Sequence, residues 1–193
     1  MTAVREFDRR VEPGLALVES AEGIARACHA MAARFHRGGK LLVFGNGGGA
    51  TDAEHIAVEF VHPVIVGKRA LPALSLAADP TVVTGIAARD GFAEVYAHQL
   101  GQLADPDDIA LGVSADGNCA NVVRGLEEAH RRGLLTVALA GGDGGALTGH
   151  PAVDHLVTVP SDDPEIVKEV HVTTYHVLWE LVHVFFEHPG VLA

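Results

Sequence analysis

His55 and Glu59 stand four residues apart, a spacing that puts both side chains on one face of a helix. An imidazole and a carboxylate so placed can hold a metal ion together or divide acid and base work between them. Spacing alone fits a solvated helix face equally well; what singles the pair out is its place, one turn beyond a glycine loop. That loop, Gly45, Asn46, Gly47, Gly48 and Gly49, has four glycines in five residues and offers open backbone N–H groups ahead of a helix, a cradle for an anion such as phosphate. A tight turn with positive φ would also call for glycine. Cys119 falls at the start of another expected helix, where the dipole favours a reactive thiolate but where a small residue is also simply tolerated. His171, His183 and His188 make no compact ligand set and read as ordinary helix residues. Trp179, Phe185 and Phe186 read as packing residues.

These side chains need elements to hold them. Residues 13–35 carry apolar positions at helical spacing, ended by Gly38 and Gly39, and predict one long amphipathic helix. Residues 40–44 form a short apolar run that leads into the glycine loop, the pattern of a buried parallel strand. A helix is expected from Thr51, capped by Thr51 or Asp52. Further strands are expected over 73–76, 109–113, 134–139 and 155–159. The last helix has a clear start: Asp163 caps it, Pro164 suits its first position, and it runs to about His188. Strands alternating with helices predict an α/β fold, a three-layer α/β/α sandwich on a parallel sheet with long N- and C-terminal helices. Ligands of such sheets bind beyond the carboxyl ends of the strands, so the first and third strand-ending loops are the places to look.

The chain has 193 residues, enough for one domain spanning 1–193. Its apolar stretches fall far short of the roughly 18 residues that a membrane span requires. The net charge of −11 argues against binding a nucleic-acid backbone, which needs clustered Lys and Arg. Arg5, Glu6, Asp8, Arg9 and Arg10 are not followed by an apolar signal region, and Cys28 and Cys119 are too few for a disulfide framework, so the cytoplasm is the expected compartment.

The run GNGGGATDAEHIAVEF (45–60) resembles the GNGGSA motif of the phosphoheptose isomerases, a branch of the sugar isomerase (SIS) family, with its helical His and Glu. VSADGNCANV takes the place of that family's STSGNS loop, and EIVKEVHVTTYHVL is similar to the segment that supplies a Gln and a His eight residues apart. The resemblance runs from about residue 40 to 185. It implies a flavodoxin-like, five-stranded parallel sheet, a homotetramer with sites between subunits, and interconversion of sedoheptulose 7-phosphate with an aldoheptose phosphate, often with zinc. Carried over by position, Glu59 is the base and His176 the acid, while His55, Glu59 and His176 are the metal ligands. Asn46, Gly47, Gly48, Gly49, Asp90, Ser114, Asp116, Asn118, Cys119 and Lys168 are the substrate-binding positions. Asp90 could also cap a helix beginning at Phe92.

Four positions depart from the family pattern. The Ser of GNGGSA is Gly49, two Ser of STSGNS are Asp116 and Cys119, and the metal-binding Gln is Lys168. Asp116 sets a carboxylate where a phosphate is expected, and Lys168 could offset it by pairing with Asp116 or by meeting the anion itself. The leading expectation is a sugar-phosphate isomerase with a small-molecule substrate. The altered loops also leave open a non-catalytic SIS module binding a phosphosugar or a protein, or a metal enzyme with a non-phosphorylated substrate.

Overall fold

The computed structural model describes residues 3–192. Five strands, β1 (Leu41–Gly45), β2 (Ala73–Ser75), β3 (Ile109–Ser114), β4 (Leu135–Gly141) and β5 (His155–Val159), form one sheet in the order β2-β1-β3-β4-β5. Every pairing is parallel. The helices are α1 (Ala3–Leu15), α2 (Ala21–His36), α3 (Gly48–Val61), α4 (Pro80–Asp90), α5 (Val95–Leu103), α6 (Ala120–Arg131) and α7 (Pro164–Glu187).

Alternation along the strands sorts these helices into layers. Leu41 and Val43, with Ile109, Leu111 and Val113, pack with Cys28, Met31 and Phe35 of α2, Ile56 and Phe60 of α3, and Leu178 and Val182 of α7. Leu42 and Phe44, with Ala110 and Ala138, join Ile86 of α4, Val95 and Leu100 of α5, and Val122 and Leu126 of α6. Consecutive apolar residues of a central strand therefore feed two cores, which is why these strands are apolar throughout. The three-layer α/β/α expectation matches this arrangement.

The expected single helix over 13–35 is broken in two. α1 already begins at Ala3, encloses Pro13 and stops at Leu15; a 3-10 turn over Ala16–Val18 follows, and α2 starts at Ala21. Glu19 and Ser20 donate to the carbonyls three residues back, the tightened bonding of a helix end. Spacing stays helical across the break because each piece has its own stripe: Leu15 and Val18 are exposed, whereas Ile24, Cys28 and Met31 are buried. α1 is tied to α7 by ion pairs of Arg9 with Asp163 and Arg10 with Glu169. α7 itself begins as expected, with the Asp163 carboxylate accepting from the Glu165 amide at 3.0 Å and Pro164 in the first turn.

Gly45 is level with Val113 and Ser114 with Ala140, so the loops after β1, β3 and β4 emerge side by side. β1 and β3 are neighbours from which the chain departs in opposite directions, the crevice where α/β sheets bind ligands.

Candidate active site

The glycine loop turns β1 directly into α3. Gly47 has φ +54°, a backbone region that side-chain-bearing residues avoid, and the helix begins at Gly48 rather than at Thr51. Thr51 and Asp52 lie inside the first turn and cap nothing; Asp52 is buried. The amides of Gly49 and Ala50 donate to the carbonyls of Asn46 and Gly47 at 2.8 and 3.1 Å, so the cradle is smaller than the glycine count implies. At Gly49, the position of the family's Ser, a Cβ would come within 3.0 Å of the Val113 carbonyl.

Lys168 is the cation at this loop. Its ammonium donates to the Gly48 carbonyl at 2.9 Å, to Thr51 Oγ1 at 3.1 Å and to Asp52 Oδ1 at 2.6 Å. Those three bonds use all of its protons. It pairs with Asp52 rather than with Asp116, one of the two roles expected for it.

The second loop is also bound to itself. Asp116 Oδ1 accepts from the Asn118 amide at 2.9 Å and lies 3.4 Å from Ser114 Oγ, which accepts from the Gly117 amide at 3.0 Å. Asn118 donates to the Asp116 carbonyl and accepts from the Ala146 amide. Cys119 packs against the core on the α6 side. Asp90 closes α4, ion-paired to Arg89 and 3.4 Å from His98 Nδ1, in a cleft with Glu94 and Arg124, away from the glycine loop. The hydrogen bond from Arg89 holds the Asp90 carboxyl below the usual range. It does not cap a helix at Phe92, since Gly91 precedes that short turn.

One turn down α3, two helices bring the remaining candidates together. His55 Nε2 lies 3.3 Å from Glu59 Oε1 and 3.4 Å from His176 Nε2 on α7, and His176 Nε2 lies 3.9 Å from Glu59 Oε1. The indole of Trp179 donates to the Glu59 carbonyl at 2.9 Å and pins α7 to α3 here. Tyr175 packs on both imidazoles, and burial, with the charges of Asp52 and Glu59, pushes its phenol up to about 12. Zinc bonds of about 2.0–2.1 Å at tetrahedral angles place ligand atoms about 3.3 Å apart. Two of the observed separations, 3.3 and 3.4 Å, match that value and the third, 3.9 Å, is longer; one open position would remain.

The family model for the SIS domain matches residues 9–141. The chain is 42% identical to a phosphoheptose isomerase of Solidesulfovibrio magneticus over 170 residues, covering 88% of this chain and 82% of that one. It is 38% identical to that of Aquifex aeolicus over 177 residues, covering 91% and 92%. The chain belongs to the phosphoheptose isomerase family. Solved phosphoheptose isomerases from Neisseria gonorrhoeae and Francisella tularensis superpose with TM-scores of 0.85 and 0.84 at 28% and 30% identity, covering 93% and 95% of this chain and 95% and 99% of theirs. The SIS match ends before α7, the helix that carries Lys168 and His176.

Several site residues of this phosphoheptose isomerase relative escape a sequence reading. Asn46 and Asn121 exchange amide hydrogen bonds at 2.7 and 2.8 Å, and the Tyr96 hydroxyl donates to the Gly45 carbonyl and lies 3.3 Å from Asn46 Oδ1, bracing the first loop against α6. Burial pushes the Tyr96 phenol up to about 12. Asn121 did leave a trace, being a poor helix former inside a helix. Asp52 and His171 also join the site; His171, read as an ordinary helix residue, is 2% exposed and lines a cavity with Lys168 and Asp52.

Proposed function

We propose that this protein is an aldose–ketose isomerase acting on sedoheptulose 7-phosphate or a closely related sugar phosphate. The observation that carries the reading is the meeting of His55, Glu59 and His176 across α3 and α7, with one ligand atom of each within 4.8 Å of the other two. In this mechanism Glu59 takes the proton from the carbon beside the carbonyl and returns it to the neighbouring carbon. His176 Nε2 gives a proton to the carbonyl oxygen and recovers one from the adjacent hydroxyl, so the reaction moves two hydrogens with no net change. Glu59 is only 15% exposed, which keeps water from competing for its proton.

His55, Glu59 and His176 would also hold zinc, with Lys168 taking no part because its protons are committed to Gly48, Thr51 and Asp52. Bound there, zinc supplies polarisation of the substrate carbonyl. Metal ligation and proton donation by His176 use the same Nε2, so each molecule does one or the other at a given moment.

The phosphate end of the substrate is assigned to the second loop, Ser114 to Cys119, and the sugar chain to Asn46 through Gly49. Asp116 then answers for a weakened grip on phosphate. A homotetramer is supported by an apolar stripe of Val4, Phe7, Val11, Leu15 and Val18, all exposed at helical spacing from α1 into the following turn. No described helix is long and apolar enough to cross a membrane. The cytoplasm is the compartment we infer, with free Cys28 and Cys119 in keeping with it. One SIS domain over 1–193 is our reading of two cores sharing a single sheet.

The test is conversion of sedoheptulose 7-phosphate by zinc-supplemented protein, beside its Glu59→Gln variant. Turnover that falls by a factor on the order of 100 or more in the variant is the expected result. An equal rate in both would remove Glu59 from the mechanism.

A further inference from the structure

One turn before His55 on α3, a cavity of about 130 Å³ opens between the start of that helix, the end of β3 and the first turns of α7. A single water needs only about 10–15 Å³ of such space, so several hydroxyl-bearing carbons fit. Its polar wall consists of Asn46, Asp52, Lys168 and His171. Three of these are already engaged: Asn46 with Asn121, and Lys168 with Asp52. His171 is different. It is 2% exposed, and its Nε2 has no hydrogen-bond partner among the described residues.

A buried imidazole nitrogen without a partner is unfavourable, and a role confined to packing would be met better by Leu. Burial also pushes the imidazole down in pKa, an effect opposed by the Ala140 backbone and the Asp52 charge and assisted by Lys168. The ring is therefore neutral at neutral pH and offers no charge to an anion. Asp52 in the same wall is a further obstacle to one, and the Lys168 ammonium has no proton left to give. A neutral hydroxyl suits this wall, because it can donate to or accept from Nε2 according to the ring's tautomer.

We propose that His171 is a substrate-contacting residue that sets specificity, its Nε2 hydrogen-bonding an uncharged hydroxyl of the sugar chain lodged in this cavity. The inference rests on the sugar-phosphate isomerase reading and adds a contact to it. The cavity reaches α3 at Asp52, three residues and so about one helical turn before His55, the way by which a sugar chain passes from the reacting carbons to His171.

The experiment compares full-length His171→Leu and His171→Gln with wild type. For His171→Leu the expected result is a melting temperature equal to or above that of wild type, a KM for sedoheptulose 7-phosphate raised about tenfold, and a kcat within about threefold. His171→Gln, which restores a donor and an acceptor, should bring KM back to within about threefold of wild type. Calorimetric titration of the same sugar phosphate into Glu59→Gln and into Glu59→Gln with His171→Leu should show Kd raised about tenfold by the His171 change, without turnover. Unchanged KM and Kd in the Leu variant, or a fall in melting temperature and kcat with KM unmoved, overturns the proposal. If wild type is inert but binds, the calorimetric pair decides the contact while the isomerase reading fails. If it neither turns over nor binds, both fall.

Discussion

Replacing Lys168 by Met removes the ammonium and keeps most of the aliphatic stem, isolating one electrostatic link between α7 and the start of α3. In the wild type the ammonium makes three hydrogen bonds, to Gly48, Thr51 and Asp52. The Asp52 side chain is 5% exposed, so the variant leaves a buried carboxylate facing methyl and methylene groups. Breaking a fully buried pair on one side costs about 3–5 kcal/mol, and a hydrogen bond to a charged group contributes about 1.5–3 kcal/mol. Lys168 is 42% exposed, so water can reach Asp52 once the ammonium is gone, and screening brings the expected loss to about 1–3 kcal/mol. For a chain of this length each kcal/mol moves the melting temperature by about 2–4 °C, giving a fall of roughly 2–12 °C. Differential scanning calorimetry on Lys168→Met, Asp52→Asn and the double variant closes a cycle. The double variant should be more stable than Lys168→Met alone, because the neutral amide that replaces the Asp52 carboxylate leaves no orphaned charge. A Lys168→Met protein that melts within about 1 °C of wild type, with additive effects in the cycle, would refute the reasoning.

Three further outcomes are expected. Asp116→Ser removes a carboxylate from the second loop; a like charge about 4 Å from a phosphate costs about 1–4 kcal/mol, so KM for the sugar phosphate should fall at least fivefold in steady-state assays. Phe7→Asp places a charge in the apolar stripe on α1 and should shift the protein to smaller species in sedimentation velocity, with unchanged circular dichroism. His155 and His171 are both pushed down, chiefly by burial. Their folded forms resist a proton that the unfolded chain accepts near its ordinary value of about 6.5, so the stability tied to them is whole above that pH and is lost as pH falls below it. Urea midpoints should drop between pH 7 and 5, and less steeply in His171→Leu.

Local order was written in the chain itself. The apolar runs of β1 to β5, the glycine loop after β1, the His55 and Glu59 spacing, and the Asp163 and Pro164 start of α7 all follow from periodicity and backbone preference, which act over a few residues. Apolar spacing could not locate the break after Leu15, because the stripe of α1 and that of α2 follow each other in helical phase while facing different surroundings. Nor did spacing join His176 to His55, 121 residues away; only the family resemblance did that before the structure, and the packing of α7 on α3 makes the contact. Tertiary structure alone decided the partner of Lys168, which is Asp52 because both lie where α7 crosses the first turn of α3, while Asp116 turns back on its own loop. It also placed His171 in the wall of a cavity, its Nε2 without a hydrogen-bond partner among the described residues. Burial and pairing across more than a hundred residues depend on how whole helices cross, and no local spacing encodes that crossing.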